Sequence, residues 1–247
     1  MKLSRILAIS LLMSLIFLQP PYAHADLKDI LKSIGETLRG GELSESKVIQ
    51  GLMEALQIGT GNAVLNVSQV DGYYKNPQIR IPLPENVQKV EKILRAVGYG
   101  PKVDAFALSM NRAAERAAPE AKSLFLDSIR QMTFSDAKKI LQGRDNEATL
   151  FFEDKTRGRL HELFRPMVHT AMSEVGVTRW YQELDAKVRS IPFAERMSFD
   201  LDTYVTDKAL DGLFHMVAEE ERKIRQDPAA RVTDLLKEVF GGKSRGD

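Results

Sequence analysis

The sequence predicts an all-α protein, and three observations carry that prediction. Apolar residues recur at helical spacing in one segment after another, no alternating run is long enough for a sheet, and the segments break at glycine, proline or capping residues. The expected architecture is a single domain of about eight to ten helices, interrupted once by a proline-rich extended strap near residues 71–84.

Lys2 and Arg5 precede the apolar run Ile6–Leu18, and Pro20 and Pro21 lead to the A-x-A motif Ala23-His24-Ala25. That order of features describes a secretory signal peptide over residues 1–25, cleaved after Ala25. The run falls short of the roughly 20 apolar residues that span a bilayer, so no transmembrane segment is expected after cleavage. Residues 26–240 are expected to form one helical domain, and 241–247 a flexible tail. The chain has no cysteine, so neither a disulfide nor a thiol for a lipid anchor is available. The expectation is therefore a soluble exported protein, periplasmic and not a lipoprotein. Its 35 basic and 34 acidic residues leave a net charge of +1, which gives no reason to expect nucleic acid as a partner.

Leu27, Ile30, Leu31, Ile34 and Leu38 line one face of a first helix that ends at Gly40-Gly41. Ser44 can cap a second, with Val48, Leu52, Leu56, Gly59, Ala63 and Val67 on its inner face. Pro84 starts a third, which stops at Gly98. Residues 101–132 read as two helices or as one interrupted at Pro119, and Thr133 to Asp136 has the spacing of a capping box. Helices then follow over 135–142, 147–164, 166–176, 178–190, 202–226 and 228–240.

The stretch Asp71–Val87, DGYYKNPQIRIPLPENV, breaks this pattern. Asp71-Gly72 and Asn76-Pro77 are turn signals, and Pro82 and Pro84 hold the residues before them extended. In an extended piece Ile79 and Ile81 share one side, expected to pack on the helices, while Arg80 takes the other. Tyr73, Tyr74 and Arg80 are the expected surface contacts.

Chemistry-bearing patterns are sparse. His161-Glu162 opens like a zinc-protease motif, but Arg165 stands where the second histidine belongs, and eight helical residues turn His169 about 80° away from His161. The glycines of Gly59–Val64 suit a helix crossing better than a phosphate loop, since no strand precedes them. Asp200 and Asp202 read as helix-capping acids. No cofactor and no metal is expected. Two polar strips remain as candidates. Asp104, Asn111 and Glu115, with Arg112 beside them, follow one edge of a helix whose apolar face is Phe106, Met110, Ala114 and Ala117. Tyr204, Asp207, Asp211 and His215 follow the polar stripe of the 202–226 helix. Converging strips would supply a general acid and base; separate ones are a buried hydrogen-bond network and a solvated face. Glu220 falls on the apolar arc of the last of these helices, between Met216 and Ile224, where the expectation is that the helix has run past its core.

Four runs, NPQIRIPLPE, SMNRAAERAAPEAK, VGVTRWY and YVTDKALDGLFHMVAEEERKIRQDPAARVTDLLKEVFG, occur in this order. Together they resemble an exported bacterial family of unknown function, domain of unknown function 4197, over the chain from about Leu43 onward. The resemblance implies a single exported helical domain of the Gram-negative envelope and no established site residues.

The function expected is that of a binding or scaffolding protein of the cell envelope, acting on an envelope protein or a small molecule. A carboxylate-based hydrolase or lyase with a cleft between the 104–115 and 204–215 helices is the first alternative. A carrier of an apolar ligand, drawn from the methionines and phenylalanines on several helices, is the second.

Overall fold

Leu52, Leu56, Ala63 and Val67 recur at helical spacing, and all four are buried on the inner face of one helix. The same logic builds the rest of the computed structural model, which describes residues 45–174, 179–183, 200–227, 233–235 and 237. The chain divides into two compact units, Met1–Glu42 and Leu43–Asp247, and the described residues belong to the second. The expected signal peptide, the 27–38 helix and the Ser44 cap lie outside the described residues.

Seven α-helices stand among the described residues: α1 Glu45–Ser68, α2 Glu85–Ala96, α3 Gly100–Ala117, α4 Ala121–Arg130, α5 Phe134–Gln142, α6 Glu147–Glu174 and α7 Leu201–Gln226. Residues 179–183 are also helical, and no strand occurs among the described residues. The expected 228–240 helix is described only at 233–235 and 237. Pro119 does interrupt its helix, through the 3₁₀ turn Ala118–Glu120 between α3 and α4. Thr133 and Asp136 close a full capping box at the start of α5. Gly98, just past α2, has φ +89°, a conformation that a side chain would strain.

One element corrects the sequence reading. Pro166 was expected to separate two helices, yet α6 runs through it. Proline removes one backbone donor and crowds the preceding turn, at a cost of about 3 kcal/mol. Leu160, Phe164, Val168 and Met172 are fully buried on both sides of it, and that packing holds the helix together.

α6 and α7 form the central pair, with α3 packed on α6 and α1 on α7. Phe125 of α4 meets Phe152 of α6 and Phe214 of α7, at centroid distances of 5.3 and 6.1 Å. At another side of the core Phe106 of α3 touches Trp180 and Tyr181, at 5.3 and 5.8 Å. Between α1 and α2 the chain makes turns up to Ile79, so residues 71–79 are not extended; residues 80–84 carry no regular element. Ile79 and Ile81 are nevertheless both buried, with Arg80 exposed between them.

Candidate functional site

Helix α3 presents two buried polar side chains one turn apart, and both face the 71–81 segment. Asn111, fully buried, accepts from the Ile81 N–H through Oδ1 at 2.8 Å, and its Nδ2 donates to the Ile81 carbonyl at 3.1 Å and to the Ala107 carbonyl at 2.8 Å. Glu115 accepts from the Tyr73 and Tyr74 N–H groups at 3.1 and 3.2 Å, both on Oε1. Its other oxygen takes Arg112, whose guanidinium also reaches Asp71 at 2.6 Å. Asp71 in turn pairs with Lys75 at 2.7 Å. Side chains thus satisfy the backbone donors of Tyr73, Tyr74 and Ile81, while Gly72, Lys75, Asn76, Ile79 and Arg80 donate to backbone carbonyls in the turns. Hydrogen bonds to Glu115 and Asp71 hold the Arg112 guanidinium above its ordinary pKa. Lys75 and then Arg112 hold the Asp71 carboxyl below the usual carboxylate range.

Helix α7 closes the segment from the opposite side. The Tyr73 hydroxyl donates to the Ala209 carbonyl at 2.6 Å, and its ring lies against Gly212, where a Cβ would meet Cε1 at 2.7 Å. The Tyr204 hydroxyl donates to the Pro82 carbonyl at 3.1 Å. Tyr73 was expected on the surface and is instead fully buried, an anchor that explains why α7 carries glycine at 212. Burial, then the Glu115 and Asp211 charges, push its phenol well above the usual range. Arg80 is exposed and Tyr74 is half-buried. The Arg80 guanidinium lies 4.5 Å from the Tyr74 ring centroid, within cation–π range.

Asp104 does not join Asn111 and Glu115. It is exposed and pairs with Arg95 at 2.7 Å, an arginine also held by Glu91 at 2.9 Å. The Arg95 hydrogen bond holds the Asp104 carboxyl below its ordinary value.

The second strip faces α6. Arg157 pairs with Asp211 at 2.6 Å, His161 with Asp207 at 3.6 Å, His169 with Asp202 at 2.7 Å and Arg165 with Asp200 at 2.9 Å. Residues 157, 161, 165 and 169 recur every four along α6, so they face the acidic edge of α7, which runs the other way. The two histidines therefore face one neighbouring helix, each on its own aspartate. Asp211 also takes Lys208 at 3.3 Å, and no Asp211–His215 contact forms; His215 is exposed. Asp200 caps α7 by accepting from the Thr203 N–H at 3.0 Å. The acids of the two strips have different partners, Glu115 the backbone at Tyr73 and Tyr74 and Asp207 and Asp211 the basic side chains of α6, whereas Tyr204 of the second strip reaches Pro82, next to the Ile81 that Asn111 holds.

Of two buried carboxylates at the end of α7, Glu220 departs from its expected place and Glu221 was missed. Glu220 has not run past the core; it is buried and accepts from Asn62 at 3.1 Å and Lys223 at 2.6 Å. Glu221 caps α6, accepting from the N–H groups of Ala148 at 3.0 Å and Thr149 at 2.9 Å, and it pairs with Arg225 at 2.8 Å. Arg225 goes on to donate to the Ile140 carbonyl at 2.9 Å, tying α5, α6 and α7 together. The available signal was Glu221 and Arg225 at i, i+4 beside the apolar arc, a spacing shared with ordinary surface pairs.

Among the described residues no group of three or more histidines and acids is placed to hold a metal ion. No helix among them is long and apolar enough to cross a membrane. An apolar recess between α1 and α7, lined by Leu52, Leu56, Val217 and Ile224, has a cavity of about 20 Å³, room for one water and far below the about 300 Å³ of a small-ligand site. A larger recess of about 410 Å³ between α5 and α6 is lined by charges, among them Lys139, Glu147 and Lys155.

No curated protein and no solved structure matches the chain. A family model described as "Protein of unknown function (DUF4197)" matches residues 42–241, and the chain belongs to that family.

Proposed function

We propose that this DUF4197 protein is an exported binding or scaffolding protein whose contact surface is the outward side of the 71–84 segment, held as an ordered strap. The observation that carries this reading is the clamp of Asn111 and Glu115 on the backbone at Tyr73, Tyr74 and Ile81. Buried polar groups are costly, and two of them directed at one irregular segment fix its shape at a cost that an idle loop would not require. The shape so fixed leaves Arg80 exposed over the half-buried Tyr74 ring, a guanidinium and a planar aromatic of the kind enriched where proteins bind proteins. Export rests on Lys2, Arg5, the Ile6–Leu18 run and Ala23–Ala25. A carboxylate enzyme has less support, because the carboxylates of the two strips are engaged with different neighbours, Glu115 with the backbone at Tyr73 and Tyr74 and Asp207 and Asp211 with α6.

The test is a photo-crosslinking residue placed at position 74 and, as a control, at the exposed Arg222. In envelope fractions position 74 gives a discrete adduct that position 222 does not, and Arg80→Glu abolishes it. The same adducts from both positions, or none from 74, overturn the proposal. Sequencing the mature N-terminus tests export separately, with Asp26 the expected first residue.

A further inference from the structure

Val87 and Leu94, two helical turns apart, are the buried residues of α2 and mark the face that it turns to the core. Ile93 and Val97 stand one turn apart on another face, and they are 65 % and 62 % exposed. Single exposed aliphatics are ordinary, whereas two adjacent ones, followed by the exposed Pro101, make a patch. Its backbone is fixed. The Tyr99 N–H donates to the Leu94 carbonyl at 2.8 Å and the Gly98 N–H to the Arg95 carbonyl at 3.1 Å, with Gly98 at φ +89°, the Schellman closure of a helix end. Arg95 then ties α2 to α3 through Asp104 at 2.7 Å.

The setting of the patch is basic. Residues 89–104 carry four cations, Lys89, Lys92, Arg95 and Lys102, against two anions, Glu91 and Asp104. Both anions are engaged by Arg95, at 2.9 and 2.7 Å, and the three lysines are exposed. Lys89 precedes Ile93 by one turn, and Lys102 Nζ lies 5.3 Å from the Tyr99 ring centroid at the same corner. The geometry points to this corner, Ile93, Val97 and Pro101 with Lys89, Lys92 and Lys102, as a contact for the surface of an anionic lipid bilayer. Aliphatic tips enter the boundary between headgroups and acyl chains, while lysines reach along the surface to anionic headgroups. A protein partner fits less well. A stable protein interface takes about 800 Å² from each side and is anchored by aromatics or arginine, whereas this corner offers two aliphatic side chains and an arginine already held by two acids. Val87 and Leu94 keep the rest of the apolar face on the protein, so only the corner enters and the contact is peripheral and reversible. The inference goes beyond the strap surface and does not depend on it, since the strap precedes α2 and the corner forms at its C-terminal end.

The chain has no cysteine, so a single Ala96→Cys takes an environment-sensitive dye at the exposed side of the corner, and Arg222→Cys, exposed on α7, serves as the control. The labelled full chains are mixed with vesicles of phosphatidylcholine alone or with about one third phosphatidylglycerol. The dye at 96 brightens about three-fold or more and shifts to the blue on the anionic vesicles, and the dye at 222 does not. Lys92→Glu with Lys102→Glu raises the lipid needed for half of that change about ten-fold or more, as does about 1 M salt, which screens charges beyond about 3 Å. Reading the dye at one position separates the corner from the apolar Ile6–Leu18 run, which is the same in every chain and would report at both positions. No response at 96, equal responses at 96 and 222, an equal response to neutral vesicles, or a response to lipid-free envelope proteins in place of vesicles overturns the inference.

Discussion

Asn111 and Ile81 are joined like facing residues of a β-ladder: the side-chain amide of one accepts from the N–H and donates to the carbonyl of the other, at 2.8 and 3.1 Å. A third bond, to the Ala107 carbonyl, uses both Nδ2 hydrogens. One buried side chain thus replaces the strand that residues 80–84 lack.

Asn111→Leu removes these bonds and leaves the buried Ile81 N–H and carbonyl without partners. Each stranded group costs about 1–3 kcal/mol, so a loss of about 3 kcal/mol is expected in urea unfolding. A loss under about 1 kcal/mol would mean that water replaces Asn111 freely.

Gly212→Ala and Gly158→Ala have opposite signs. At 212 a Cβ stands 2.7 Å from Tyr73 Cε1 and 3.1 Å from Ile79 Cβ, and a fully buried ring cannot yield cheaply. Overpacking of about 1–3 kcal/mol outweighs the helix-propensity gain of up to about 1 kcal/mol. Gly158 meets nothing within 4 Å, so there the propensity gain stands alone. Thermal unfolding of the two variants shows the difference.

The ladder between α6 and α7 contributes little despite its regularity. Arg165 and Asp200 are each about half exposed, and pairs of that kind are worth about 0–1 kcal/mol. Arg165→Ala is expected to lower stability by under about 1 kcal/mol, a difference that shrinks further in high salt.

Acid weakens the clamp through Asp71. Its folded pKa is depressed, so its contribution is fully present above about 3.9, the unfolded value, and is lost as pH falls through the folded one. The stability difference between the natural chain and Asp71→Asn should therefore be constant above about pH 5 and shrink toward pH 2. A difference that grows on acidification would reverse the sign.

Helical periodicity made the inner faces of α1, α3 and α7 readable, because burial of Leu52, Phe106, Met110, Val205 and Leu213 depends only on a 3.6-residue repeat. The burial of Ile79 and Ile81 was also readable, although the turns before them were not extended as expected. The partner of each polar side chain was not readable. Asp104 and Asn111 lie seven residues apart on one helix face, yet one meets an exposed arginine and the other a buried peptide group. Spacing gives a direction from a helix axis, not what stands there. Tyr73 was misplaced for the same reason: only the close approach allowed by Gly212, 139 residues away in sequence, makes room for its ring. Pro166 shows the converse, a strong local breaker overridden by packing on both sides.

Amide hydrogen exchange of Tyr73, Tyr74 and Ile81 measures the clamp most directly. Their donors are held by Glu115 and Asn111, so all three should exchange as slowly as core amides of α3 such as Met110, and Asn111→Leu should release Ile81 more than Met110. Exchange of these amides in the natural chain at the rate of an unstructured peptide would contradict an ordered segment, and with it the surface of Tyr74 and Arg80.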